Sequence, residues 1–229
     1  MSSFVGLVSM SLPDRRILRT PYLSEGCHKV VISDSANVDA GGPRASMLRP
    51  GNVLQFKSAT GRFVNDGSGE TSAQATVTAL IAGDATWDNA TISVYKNGAL
   101  VTTVALGAGD DTTDKHVTAL NADAKFAANF KASNVGGLLT IQALEQGAQV
   151  VVKVTSTLPT AFGVNGTEAR GTDGDYVVTV EYADQLNPAG SPAHAKVHTV
   201  ARGHFDKANL VGLTSDAKSV LLRRGSRFE

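Results

Sequence analysis

Apolar and polar positions alternate with a period of two along much of this chain, the pattern of strands with one covered face. Val53, Gln55 and Lys57 alternate with Leu54 and Phe56, which predicts a half-buried strand between the turn signals Pro50-Gly51 and Thr60-Gly61. Arg62, Phe63 and Val64 predict a second strand, ended by residues 65–69, NDGSG. Two short strands do not make a stable sheet. Their expected partners are the strand-like runs 176–182 and 193–201, more than a hundred residues downstream.

The intervening stretch has a different character. Residues 75–81 and 89–106 are strand-like, and Asn97-Gly98 separates the two halves of the second run. Two residues that both tolerate positive φ predict a type I′ hairpin turn. Residues 112–131 predict a helix, with Val117, Leu120, Ala124 and Ala127 on one stripe and Phe126 and Phe130 one turn apart. Thr112, Thr113 or Asp114 caps its start, and Ser133, Asn134 and Gly136-Gly137 end it. Strands follow in which Leu139, Ile141 and Ala143 alternate with Thr140 and Gln142, and in which Val150, Val152 and Val154 oppose Val151, Lys153 and Thr155. The expected unit is hairpin, helix, hairpin over residues 72–172, an α+β domain interrupting a discontinuous β-rich one at 30–71 and 173–229.

Three further segments complete the reading. Val30, Val31 and Ile32 predict a short strand closed by Ser33, Asp34 and Ser35; residues 39–43, DAGGP, and 187–192 predict loops. A terminal helix is predicted from about Ser215, with Thr214 as cap, Asp216 at its positive end, and Val220 with Leu221 or Leu222 inward. Arg223 and Arg224 sit at its negative end, and Gly225 supplies the stop. Residues 1–29 have no sustained period and read as an arm. There Leu12, Ile17, Leu18 and Tyr22 are interspersed with Arg15, Arg16 and Arg19, apolar residues that need a surface to cover and that mark the arm as a docking element.

Charge and composition narrow the possible partners. Lysine plus arginine equals aspartate plus glutamate at 21 each in 229 residues, so no bulk field draws the chain to nucleic acid or membrane. The single cysteine, Cys27, excludes an internal disulfide, as expected for a protein assembled in a reducing cytoplasm. Residues 1–10 lack the basic start of a secretory signal, and no apolar run reaches the ~20 residues of a membrane span. Abundant small residues and threonine with few aromatics suit a β-rich protein that gains stability by association.

No catalytic or metal constellation is expected. His194 and His198 share a strand face but stand about 13 Å apart at ~3.3 Å per residue, too far to share an ion, and His204 is more distant. Asp110 and Asp111 are explained by helix entry. The acids around Asp66 and at Asp173 and Asp175 lack the register of a calcium loop. Trp87 reads as core or hairpin cover. No nucleophile elbow, phosphate loop or dinucleotide fingerprint occurs, and neither an enzyme nor a cofactor is expected.

The outer segments resemble the tailed-phage head decoration proteins of the lambda type. The resemblance is carried by residues 31–34 (VISD), 48–64 (LRPGNVLQFKSATGRFV), 200–210 (VARGHFDKANL) and 216–225 (DAKSVLLRRG). It implies a mainly β fold with some α, a small β-tulip-like domain with an N-terminal arm and C-terminal helix. It further implies a homotrimer on the capsid exterior of the virion, its arm against the major capsid protein, stabilising the expanded head of the bacteriophage. The family has only a short turn where this chain carries residues 72–172. That insertion is weakly similar to modules of flagellar and adhesin-like surface proteins and is expected to face outward. The alternative it raises is a tail, fibre or surface adhesion module that binds a host glycan or protein through the insertion.

Overall fold

The structure is a computed structural model that describes residues 28–37, 47–185 and 192–229. Strands predominate over helices. In chain order they are β1 (His28–Ser33), β2 (Met47–Leu48), β3 (Val53–Lys57), β4 (Arg62–Val64), β5 (Gln74–Ala82), β6 (Thr91–Lys96) and β7 (Ala99–Ala105). Helices α1 (Thr113–Ala122) and α2 (Ala124–Ala127) precede β8 (Phe130–Val135), β9 (Leu138–Gln146), β10 (Val151–Ser156), α3 (Pro159–Phe162) and β11 (Thr167–Arg170). The chain finishes with β12 (Tyr176–Thr179), β13 (Ala183–Asp184), β14 (Ala195–Val200), β15 (His204–Phe205), α4 (Ser215–Arg223) and β16 (Arg227–Phe228). It divides into two compact units, one formed by Met1–Thr71 with Gly174–Glu229 and the other by Ser72–Asp173.

The discontinuous unit is built on a closed barrel of order β1-β14-β12-β3-β4. β12 is the strand that joins the two sequence segments: it pairs antiparallel with β3, Val177 opposite Leu54, and with β14, Val178 opposite Val200. The expected pairing of residues 53–64 with both downstream strands therefore needs correction. β14 lies one strand removed from β3 and pairs instead with β1, Val31 opposite Val197. A parallel contact between Ser33 and Phe63 closes the ring, and Asn37 secures it by donating to the Phe63 carbonyl at 3.0 Å and accepting from the Asn65 amide at 2.9 Å.

This closure buries more of the strands than period-two alternation indicates. Leu54, Val177, Val31, Val197 and Phe63 pack together on one face, while Val53, Tyr176, Val178 and Val200 pack on the other with Phe205 and α4 residues Ala217, Val220 and Leu221. β3 is therefore not half-buried at its start: Gln55, on its polar face, is only 7% exposed. α4 has the predicted cap, Thr214 Oγ1 accepting from the Ala217 amide at 3.1 Å. Of its two candidate core leucines Leu221 is buried and Leu222 is 47% exposed. Val220 and Leu221, both fully buried, contribute about 1.5–3 kcal/mol each. Gly225, at φ 87°, ends the helix in a conformation that costs a residue with a Cβ. The chain then returns as β16 alongside β15.

The unit Ser72–Asp173 contains two sheets, β5-β9-β8 and β11-β10-β6-β7, around a core that includes Trp87, Ile92, Leu120, Phe126, Phe130, Ile141, Val152 and Phe162. Asn97 (φ 52°) and Gly98 (φ 83°) form the β6–β7 turn as predicted. The hairpin, helix, hairpin reading fails at two points. The helix stops at Ala122, because Asp123 is extended and its carboxylate accepts from the Phe126 amide at 2.8 Å, starting the single turn of α2. Residues 130–135, read as helix end and turn, form β8 and pair with β9 across Gly136-Gly137, both at positive φ. β9 and β10 accordingly belong to different sheets and are not hairpin partners.

Candidate functional site

The expected arm residues Leu12, Arg15, Arg16, Ile17, Leu18, Arg19 and Tyr22 lie outside the described residues, as does Cys27. The arm does not extend to residue 29: His28 and Lys29 already belong to β1, opposite Val200 and Thr199. Because Val31 points into the barrel, its neighbours Val30 and Ile32 point out, and they are 56% and 47% exposed. Cross-strand, Val30 meets His198 and Ile32 meets Lys196, both exposed, so the outer face of β1 and β14 is an apolar stripe with a basic border. Half-buried Glu181 fixes one edge of that border, accepting from the His198 amide at 3.0 Å and lying 2.7 Å from Nδ1 of the same ring.

Below this stripe a polar cluster holds the barrel to α4. Lys29 Nζ bonds Asp175 Oδ2 at 2.8 Å and lies 5.0 Å from the Phe63 ring centroid, while the Arg224 guanidinium bonds Asp175 Oδ1 and the Tyr176 carbonyl. Asp175 is thus placed between two cations. Asp173, two residues earlier, belongs to the other unit, where its carboxylate accepts from the Ala148 amide at 2.9 Å.

A cleft of about 580 Å3 opens beside β3 and β12. Val53, Val64, Leu210 and Leu213 give it an apolar lining, Gln55, Tyr176 and Thr214 supply polar groups, and Asp66 and Lys207 stand on its rim. The Tyr176 hydroxyl donates to Asp216 Oδ2 at 2.7 Å and accepts from Gln55 Nε2 at 3.0 Å. Burial, reinforced by the Asp216 carboxylate, pushes the Tyr176 hydroxyl pKa well above its ordinary value. The phenol is held neutral and is unsuited to act as a base. Asp66 is held below the usual carboxylate range by hydrogen bonds from Ser68, whose amide donates at 2.8 Å to close a tight turn.

The remaining candidates are dispersed. His194 Nδ1 accepts from the Ser35 amide at 2.9 Å. Asp111 pairs with Lys115 at 2.7 Å one helical turn away, which lowers the acid and raises the amine. Asp110 accepts from the Gly107 amide. Among the described residues no group of three or more His, Cys, Asp or Glu side chains is placed to hold a metal ion. No helix among them is long and apolar enough to cross a membrane.

Two features escaped the sequence reading. His116 on α1 is fully buried, stacked on Trp87 at 4.6 Å between ring centroids, with Nε2 2.6 Å from the Asp110 carbonyl, and no sequence motif singles it out. The Gln55, Tyr176 and Asp216 relay joins residues separated by 121 and 40 positions, and no local signal announces it. Compared with protein-family models, curated proteins and solved structures, the chain matches none.

Proposed function

We propose that this chain is a structural virion protein that binds the outer surface of a phage capsid as a homotrimer and stabilises the expanded head. One observation carries the reading. The separated segments with decoration-protein resemblance fall within a single unit, residues 31–34 at the end of β1, 48–64 over β2 to β4, 200–210 from the end of β14 past β15, and 216–225 over α4 and its stop. Their partnership through β12 is what a genuine split domain requires. The apolar outer stripe of Val30 and Ile32 follows the expected arm in sequence and supports a contact with the major capsid protein on this face. Bridging neighbouring capsid subunits, the trimer offsets the outward pressure of packaged DNA.

The test is co-sedimentation of the purified protein with expanded capsids, using the full chain and a variant lacking residues 1–25. Stoichiometric binding by the full chain, with loss of binding and retained fold in the variant, supports the reading. Failure of the full chain to bind capsids, together with selective binding to host glycans or a host surface protein, replaces it with the adhesion reading.

A further inference from the structure

The cleft beside β3 and β12 has a floor of fixed polarity. The Tyr176 hydroxyl carries one proton, and Asp216 Oδ2 takes it at 2.7 Å. Gln55, 3.0 Å from the same oxygen, can therefore face it only with its amide nitrogen. That assignment leaves Gln55 Oε1 as the other end of the carboxamide. Among the described residues it accepts from no donor, although Gln55 lines the cleft and is only 7% exposed. The side-chain stem is held as well. A Cβ at Gly69 would lie 2.5 Å from Gln55 Cγ and 2.8 Å from Cδ, so the glycine lets backbone pack directly against the stem.

Around this acceptor the walls are aliphatic: Val53 and Val64 from the strands, Leu210 and Leu213 from the segment before α4. Both leucines are half-buried, so the walls keep apolar surface open to solvent. The volume of about 580 Å3 falls within the ~300–1,000 Å3 of small-molecule sites. Asp66 and Lys207 put one charge of each sign on the rim, which favours neither an anion nor a cation. A purely aliphatic ligand would strip water from Gln55 Oε1 without replacing its hydrogen bond, and that loss opposes binding. A sugar would press most of its hydroxyls against four aliphatic side chains. The complement of these surfaces is a neutral apolar molecule with a single hydrogen-bond donor, and a rigid ring meets that need at less conformational cost than a flexible chain.

We propose that this cleft binds neutral ring compounds carrying one N–H or O–H donor, of the indole or phenol class, with the donor on Gln55 Oε1 and the ring among Val53, Val64, Leu210 and Leu213. Tyr176 and Asp216 act as positioning residues that hold the carboxamide in its orientation. The proposal does not depend on the capsid reading, which uses the outer face of β1 and β14.

Two-dimensional NMR of the full chain, titrated in parallel with indole and with benzofuran, tests it. The two probes share a ring shape and differ by an N–H against an oxygen. Indole is expected to shift the Gln55 side-chain amide and the methyl groups of Val53, Val64, Leu210 and Leu213 saturably, and benzofuran to bind at least about tenfold more weakly. Gln55→Met keeps the side chain's bulk without its oxygen and should bring indole down to the benzofuran affinity. Unchanged Val177 and Val197 methyl signals show that the variant barrel is folded; if it is not, the two wild-type titrations decide alone. Absence of saturable shifts at the cleft residues overturns the proposal. So does equal affinity for indole and benzofuran, or a preference for indole that survives in folded Gln55→Met.

Discussion

Tyr176 on β12 donates its hydroxyl proton to Asp216 in the first turn of α4, 2.7 Å away. That one bond ties the strand joining the two halves of the barrel to the helix that covers it. Tyr176→Phe removes the acceptor of Gln55 Nε2 and one donor to Asp216, and a loss of about 1–3 kcal/mol is expected in urea unfolding.

The same residue sets an alkaline limit on stability. Its folded pKa is raised, so the folded state retains the proton where the unfolded chain releases it. The contribution is complete below the unfolded tyrosine value of about 10 and is lost as pH rises from there toward the folded value. Unfolding midpoints measured through this range should fall more steeply for the wild type than for Tyr176→Phe.

Asn97 holds the β6–β7 turn at φ 52° and accepts from the Val151 amide at 2.8 Å. Asn97→Val places a β-branched residue in the left-handed region and removes the acceptor, at a cost of about 1–3 kcal/mol. Asn97→Gly loses the acceptor alone and should be the milder substitution, which a paired thermal melt would establish.

Asn121→Leu exposes both backbone groups of Ala132 on the β8 edge. A destabilisation of about 1–3 kcal/mol is expected. Faster exchange of the Ala132 amide than of its neighbours would localise the effect to that edge.

Val30→Asp and Ile32→Asp alter the outer stripe without touching the barrel interior. Stability should move by less than about 0.5 kcal/mol. Capsid affinity in the co-sedimentation assay should fall by at least about tenfold, the equivalent of about 1.4 kcal/mol. Unchanged affinity would remove this stripe from the contact.

Elements governed by neighbouring residues were legible in the chain. Asn97-Gly98 specifies its turn because two adjacent residues accept positive φ, and α4 is bounded by a Thr214 cap and a Gly225 stop that act within one helical turn. The composition of β1 likewise marks a strand before any partner is known. Over residues 112–135 the helical spacing of Phe126 and Phe130 predicts one helix and coincides with a different arrangement. Asp123 breaks the helix and Phe130 opens β8, yet both rings still meet in the core, 5.4 Å apart.

What the sequence by itself determined is local: turn chemistry, caps, the strand-forming runs and the absence of recognisable catalytic motifs. Tertiary structure decided which strands meet, because pairing depends on ring closure and two-sided burial rather than on the alternation within any one strand. It put β14 beside β1, sealed the barrel at Ser33 and Phe63, and drew Gln55 under α4 to meet Tyr176.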